Sequence, residues 1–496
     1  MARISSEKKA PEIVEHVMRP FLKDMGKYFE VHLKIHNAHV LMLTETGLIN
    51  GEEGAEILGA LRSLGELGAD GLQLHPDTDL YMQMEAYVRE HAPIAGGKMH
   101  MGRSRNDLYA CAGRIMTRQK LGGLIDAVLG LQNALLDKAQ EHATTVMPGY
   151  THLQHAEPVT LGHFLLAFHD ALSRDVVRLT AAYASANLNA LGAAALSGSS
   201  LGLDRDRTAV LLGFDGLVEN SYDAVAARDY ILEAASVAAV LCSTVARVVD
   251  TLIVWSTSEF GMIDMPDGYA YTSSIMPQKR NPGYYFETVR AMASRVEGDL
   301  VSALITMKGT TFIQSRETSF EVTVPVFRAL GEAFGAVEVM CGAIGSLIVR
   351  ADRMRENCEN EFAGATEIAN FLVKDKGLDF RSAYQVVSSL VRVASERGIK
   401  PLQIDSVLID TVAQAELGRT VGLSADKVRQ AFEPGANVDL KVTRGSPSRS
   451  EVLRMLEARL KSHRKALDAQ ALRKQHLADA QDGLEGAVNA RVLVAL

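Results

Sequence analysis

Cysteine is scarce in this chain of 496 residues: Cys111, Cys242, Cys341 and Cys358 stand far apart with no CxxC spacing. Neither a disulfide framework nor a structural zinc site is indicated. Excess positive charge is also lacking. The formal net charge is -8, and no basic run carries interleaved aromatics, so nucleic-acid binding is not expected, although a local site can still attract an anion. No long apolar run goes unbroken. The longest, near residues 234–255, is interrupted by Arg247 and Asp250, and the first residues lack an apolar signal core, which gives a cytoplasmic expectation. Apolar alternation between turn signals is nearly absent, so little sheet is expected. There is no nucleotide fingerprint and no cofactor-lysine motif, so no cofactor is expected.

What is present is helical periodicity. Apolar residues make up 47% and charged residues 23%, the balance of a globular protein, and the length suggests about three domains at roughly 150 residues each. From residue 106 to 142, Leu121, Leu124, Ile125, Val128, Leu131 and Leu135 recur at three- and four-residue steps, with Asp107 where a capping residue is useful. A second helix is expected from Pro158, with Leu161, Phe164, Leu165, Phe168 and Leu172 on one face, because proline suits a first turn. Others are expected over 224–258, 284–306 and 326–350, the last with Pro325 at its start. Helices two or three times the average length need neighbours along their whole length, and a bundle supplies them. Residues 68–76 and 433–447 read as loops, and the final 45 residues as a charged surface helix with a frayed end. The division expected is a helical domain over 1–106, a long-helix bundle over 107–358 and a helical domain over 359–496.

Four polar segments punctuate this pattern. Residues 272–282, TSSIMPQKRNP, place Ser273 and Ser274, Lys279 and Asn281 in a loop whose prolines rule out a continuous helix. Residues 100–107, HMGRSRND, set Ser104, Arg105 and Asn106 before a long helix, where backbone N–H groups and the helix dipole favour an anion; capping with surface arginines would explain them equally if they stood alone. Residues 149–155, GYTHLQH, bring Thr151, His152 and Gln154 together, expected just upstream of a helix. Histidine titrates near neutrality and suits proton transfer. A metal site from His152, His155, Glu157 and His163 lacks standard zinc spacing, and His155, His163 and His169 read as polar or packing residues. Residues 219–229, ENSYDAVAARD, offer Asn220 or Ser221 as a helix cap, with Arg228 one turn past Ala224.

Taken together and in this order, the four segments resemble the argininosuccinate lyase family of the fumarase and aspartase superfamily, over roughly residues 30–460. Adenylosuccinate lyases share a similar final loop but not the GRSRND and GYTHLQ segments together. The resemblance implies an all-α subunit of three domains whose long central helices form a homotetrameric core, with each active site shared between three subunits. It implies reversible elimination of an amine from an N-substituted aspartate to release fumarate. By similarity Ser273 takes the proton, helped by Lys279; His152 and Thr151 serve the departing amine, with Glu287 orienting the imidazole. Ser104, Arg105, Asn106, Gln154, Arg228, Ser274, Met276, Lys279 and Asn281 bind substrate, and Asp79 stands where the family has an acidic residue near the site. No metal is implied.

The fumarate side of the pattern is intact and the amine side is not. Gln314 and Ser319 stand where the family usually has a tyrosine and a glutamine that hold the arginine-like portion. The WGGRF opening is missing, Asp79-Leu80-Tyr81 replaces an Asp-Ile-His, Met101 and Thr272 replace a threonine and a glycine, and residues 282–287 run one residue longer. Loss of hydrogen-bonding partners on one side changes substrate choice more than chemistry. The expected substrate is therefore an aminopolycarboxylate such as ethylenediamine disuccinate, with argininosuccinate as the alternative. A noncatalytic structural homologue, like the lens crystallins of this family, is disfavoured because Thr151, His152, Ser273, Lys279 and Asn281 are all retained.

Overall fold

A computed structural model describes residues 9–494, and the chain is 71% helical. After short helical segments over residues 11–28, three longer helices follow: α1 (Phe29–Glu45), α2 (Gly51–Gly71) and α3 (Leu80–His91). They bury one shared core with the first turns of α4 (Arg105–Glu141), reaching from Leu41, Leu58 and Leu61 to Leu108 and Ile115. The loop expected over 68–76 begins later than that, because α2 continues through a kink at Gly68 (φ 72°); a Cβ would resist that backbone.

The centre is a bundle of five helices: α4, α5 (Leu161–Ala186), α6 (Asp229–Ser256), α7 (Tyr284–Lys308) and α8 (Thr323–Gly345). Leu121, Leu124, Ile125, Val128, Leu131 and Leu135, the residues that gave the periodicity, are all buried in it. Two of the expected helices begin elsewhere. Pro158 lies in a strand paired with Pro148, and α5 starts three residues on, where the Thr160 side chain accepts from His163 N. The helix expected over 224–258 is divided: a short helix, Ser221–Ala226, capped by Asn220, stops at an extended Ala227 before α6. Likewise α8 ends at Gly345, since Ile348 and Val349 leave to pair with Ile263 and Asp264. That pair is one of three two-stranded ladders among the described residues, in keeping with the little sheet that the sequence pattern suggested. Helix α6 is long and apolar enough to cross a membrane by length and composition, yet it packs against α5, α7 and α8.

Beyond the bundle, α9 (Ala365–Lys376), α10 (Phe380–Glu396), α11 (Ser406–Leu417) and α12 (Ala425–Phe432) enclose a separate small core. The stretch 433–447, expected as loop, includes a helical turn at Pro434–Asp439 capped by Glu433. Last comes α13 (Arg449–Val494), which runs back along the molecule. Val452 and Leu456 join the central core, while Leu484 and Val488 join the first. It is a stitching element rather than a frayed surface helix, because a sparse apolar stripe on a charged helix still finds grooves on α4 and α2.

Candidate active site

The segment 100–107 builds the first group. Ser104, not Asp107, is the cap of α4: its hydroxyl accepts from Asn106 N at 3.3 Å, and Asp107 returns the bond by accepting from Ser104 N at 2.9 Å. This is a reciprocal capping box. Asp107 is fully buried, and its second oxygen accepts from Gly192 N and Ala194 N at 2.9 and 3.0 Å. One carboxylate thus ties the start of α4 to the 190–199 loop. Burial pushes its pKa up to about 6 against those bonds.

Arg105 projects from the same start and donates to Asp79 at 2.5 Å, while Asp79 caps α3 through Met82 N at 2.9 Å. Asn106 donates to Ala195 O at 3.0 Å. These side chains line a cavity of about 390 Å³ together with Gln314, Ser319 and Lys9. Its far wall is apolar: Phe320 meets Phe21 edge-on at 4.7 Å and Tyr109 at 4.8 Å, and Arg316 lies over the Phe21 ring. Sequence reading missed Phe21, Tyr109 and Phe320. The one local signal was Tyr109, one helical turn beyond Arg105 and so on its face.

Arg228 was expected to grip a carboxylate, and the structure puts it behind this cavity, only 3% exposed. It donates to Thr318 O at 2.7 Å, to Ala227 O at 2.6 Å and to Gln314 Oε1 at 3.4 Å. The extended Ala227 turns the guanidinium inward, so it braces the 314–319 segment.

The second group is a hairpin, not a prelude to a helix. Strands β1 (Val146–Thr151) and β2 (Gln154–Thr160) pair with Thr151 opposite Gln154, which leaves His152 and Leu153 as a two-residue turn. Both have positive φ, 52° and 59°. Such turns match the twist of a hairpin but normally carry Gly or Asn, and a histidine held there is strain concentrated at a projecting tip. Thr151, His152, Leu153 and Gln154 are all exposed, Leu153 at 70%. At the base, Gly149 sits in a register shift, where an added Cβ would lie 2.7 Å from Glu157 O. Gly149→Ala is therefore expected to splay the hairpin and cost about 1–3 kcal/mol of stability, read as a lowered thermal midpoint; an unchanged midpoint would show that the ladder yields without cost. Of the residues considered for a metal, Glu157 pairs with Lys441 and His163 Nε2 donates to the Gly445 carbonyl at 2.9 Å.

The third group is the loop between β3 (Tyr271–Thr272) and β4 (Arg280–Asn281). Arg280 anchors it to Asp264 at 2.5 Å and Asp267 at 3.1 Å. Inside the loop, Ser273 Oγ accepts from Ile275 N at 3.4 Å and Met276 N at 3.1 Å, and Lys279 N donates to Met276 O at 2.9 Å. Two N–H groups aimed at one hydroxyl oxygen favour negative charge on it. Ser274, Met276 and Lys279 are exposed, and Lys279 makes no ion pair among the described residues. Asn281 turns back to accept from Gly283 N at 3.0 Å, and Glu287 stands exposed in the first turn of α7.

The chain thus brings Asp79, Ser104, Arg105 and Asn106 together, and holds the hairpin and the loop apart from them. Among the described residues, no hydrogen bond joins members of two of the three groups, and the hairpin and the start of α4 line different cavities.

Known proteins resemble this chain throughout. A Lyase family model matches residues 25–298, and an Argininosuccinate lyase C-terminal model matches residues 362–439. Argininosuccinate lyase of Methanothrix thermoacetophila is 40% identical over 433 residues, covering 87% of each chain. Argininosuccinate lyase 1 of Shouchella clausii is 35% identical, covering 91% of each. Among solved structures, an EDDS lyase variant with bound fumarate superposes with a TM-score of 0.88 at 34% identity, over 99% of this chain and 97% of that one. Class II fumarase of Schistosoma mansoni, 15% identical with a TM-score of 0.68 over 88% of this chain and 96% of that one, shares the fold.

Proposed function

The chain belongs to the argininosuccinate lyase family, within the fumarase and aspartase superfamily, and from that membership we propose which side chains act and which amine leaves. It is a carbon–nitrogen lyase that releases fumarate. Ser273 Oγ takes a proton from the carbon beside a carboxylate. The electron pair left there delocalises into that carboxylate and then forms the double bond as the carbon–nitrogen bond breaks, its electrons leaving with nitrogen. His152 gives the departing amine its proton, with Thr151 and Gln154 beside it and Glu287 orienting the ring. Charge grows on the carboxylate during proton removal, so donors fixed beforehand lower the barrier. Lys279, Asn281, Ser274 and the Met276 segment supply them on the loop, and Ser104, Arg105 and Asn106 on α4. Arg228 contributes by bracing Gln314.

Since the three groups lie apart in one chain, a complete site needs other copies. The subunit therefore acts as a homotetramer in which three chains contribute to each centre, and it works in the cytoplasm. The long bundle helices support this, because α6, α7 and α8 leave Val240, Val301, Leu304, Ile305 and Phe334 exposed in a single chain.

One observation carries the choice of amine: the cavity beside Asn106 is lined by three cations, Lys9, Arg105 and Arg316, against two carboxylates, Asp77 and Asp79. Asp79 is engaged by Arg105 at 2.5 Å, and Arg316 pairs with Glu321 at 2.8 Å outside the cavity lining. A guanidinium needs unpaired acceptors, and cations suit an amine that itself bears carboxylates. We therefore assign an aminopolycarboxylate of the ethylenediamine disuccinate type. The second reading, argininosuccinate, is favoured by the 40% identity to a named argininosuccinate lyase.

Fumarate release followed by ultraviolet absorbance separates them. The expected result is turnover of ethylenediamine disuccinate with kcat/KM at least about a hundredfold above that for argininosuccinate. The reverse ratio would assign the arginine reaction, and no release from any N-substituted aspartate would overturn both.

A further inference from the structure

Behind the Ser104 turn lies a group of buried polar side chains that the reaction does not use. Helix α1 presents His32, His36 and His39 on one face, each with 0% exposure, to a guanidinium, Arg103, that is 7% exposed. Arg103 Nη2 donates to His36 Nδ1 at 2.8 Å and Arg103 Nε to His100 Nδ1 at 3.1 Å. Since arginine only donates, both imidazoles must offer a lone pair at Nδ1 and carry their proton on Nε2. Two residues earlier in the turn, His39 Nε2 donates to the Met101 carbonyl at 2.9 Å. His100 in turn packs against Tyr81, with ring centroids 4.4 Å apart and the rings tilted by 34°. No carboxylate forms an ion pair with Arg103 among the described residues; Asp107, whose charge acts on it most strongly, is occupied by Ser104, Gly192 and Ala194 N–H groups.

A buried guanidinium without a paired carboxylate is costly. Apolar residues would fill the space more stably, so retention of the cation and three imidazoles points to a gain elsewhere. The gain is visible in the geometry: Met101 and Arg103 lie just before Ser104, Arg105 and Asn106, and the bonds to His36 and His39 fix that turn to α1.

We propose that Arg103 is a positioning residue for the carboxylate site, its guanidinium forked between His36 and His100 so that the turn aims Ser104, Arg105 and Asn106. This rests on the assignment of those three residues to the fumarate carboxylate. The neutral imidazoles fit the role, because burial beside the guanidinium holds His36 well below its ordinary pKa and His100 at about 2.

The experiment measures fumarate affinity by calorimetry, and KM and kcat in the addition direction, on the full enzyme. His36→Leu removes the acceptor and is expected to weaken fumarate affinity about tenfold or more, with a smaller change in kcat, since displacement of about 1 Å at a binding group has effects of this size. His36→Asn can place Oδ1 where Nδ1 stands and should restore affinity to within about threefold of wild type. Arg103→Lys keeps the charge and loses the fork, so it should fall with His36→Leu. Wild-type affinity in His36→Leu, or in Arg103→Lys, would overturn the proposal. Asn106→Ala distinguishes the two levels: if it also leaves fumarate affinity unchanged, the carboxylate assignment has failed, whereas loss in Asn106→Ala alone removes only the positioning role.

Discussion

Replacing Ser273 by Ala is expected to lower kcat about a thousandfold or more while leaving the fold and the assembly untouched, the scale at which proton transfer by a placed side chain contributes. The separation of activity from stability follows from where Ser273 sits. Its hydroxyl accepts only from Ile275 N and Met276 N within its own loop, and the loop is anchored by Arg280 on Asp264 and Asp267. Removing one oxygen leaves those anchors in place and frees two exposed N–H groups to water, a change of well under 1 kcal/mol in most surface settings. Fumarate release and the thermal midpoint, measured side by side, decide it. Residual activity within about tenfold of wild type would remove Ser273 from the role of base.

Acid should destabilise this protein earlier and more steeply than carboxylate protonation alone would. Burial pushes the His32 pKa down to about 3 and those of His36 and His39 well below 6.5. In the unfolded chain all three take protons as pH falls through 6.5, while in the fold they stay neutral. Stability is therefore full above pH 6.5 and is lost as pH falls below it, at about 1.4 kcal/mol per pH unit for each histidine. Asp107 works in the opposite sense. Its folded pKa, about 6 against 3.8 unfolded, means that the fold binds one extra proton between those values. Three protons gained by the unfolded chain at these histidines and a fourth at His100, whose folded pKa also lies down at about 2, against one by the fold leave a net slope of about 4.1 kcal/mol per pH unit between roughly pH 5.5 and 4.

The measurement is the thermal midpoint by circular dichroism from pH 7 to 4.5, and a flat profile would refute the account. His32→Leu sharpens it. Neither ring nitrogen of His32 has a hydrogen-bond partner, so leucine should be neutral or stabilising at pH 7 and should reduce the acid slope by about 1.4 kcal/mol per unit.

The parts of this protein that local sequence could specify are those governed by neighbours within a turn or two. The 3.6-residue recurrence from Leu121 to Leu135 required a long helix, and α4 spans Arg105–Glu141. The same holds for α7, whose start at Tyr284 follows from the prolines and glycine before it. The chemical types at residues 100–107, 149–155, 219–229 and 272–282 identified the family, since side-chain identity in a motif does not depend on where the motif is carried.

What the sequence left open depended on contacts between distant residues. Thr151 and His152 read as the approach to a helix, because nothing local shows that β1 will find β2 and place His152 at a strained tip. Arg228 read as a substrate ligand, because its burial comes from Gln314 and Thr318 far along the chain. No local pattern singled out the histidines of α1, whose part is visible only once Arg103 is packed against them. The sequence by itself determined which helices form and which chemistry the chain carries, for both are written in short-range spacing and residue type. Only the tertiary structure decided which of the charged and polar groups face a cavity and which brace it from behind, since burial and pairing are properties of the packed whole.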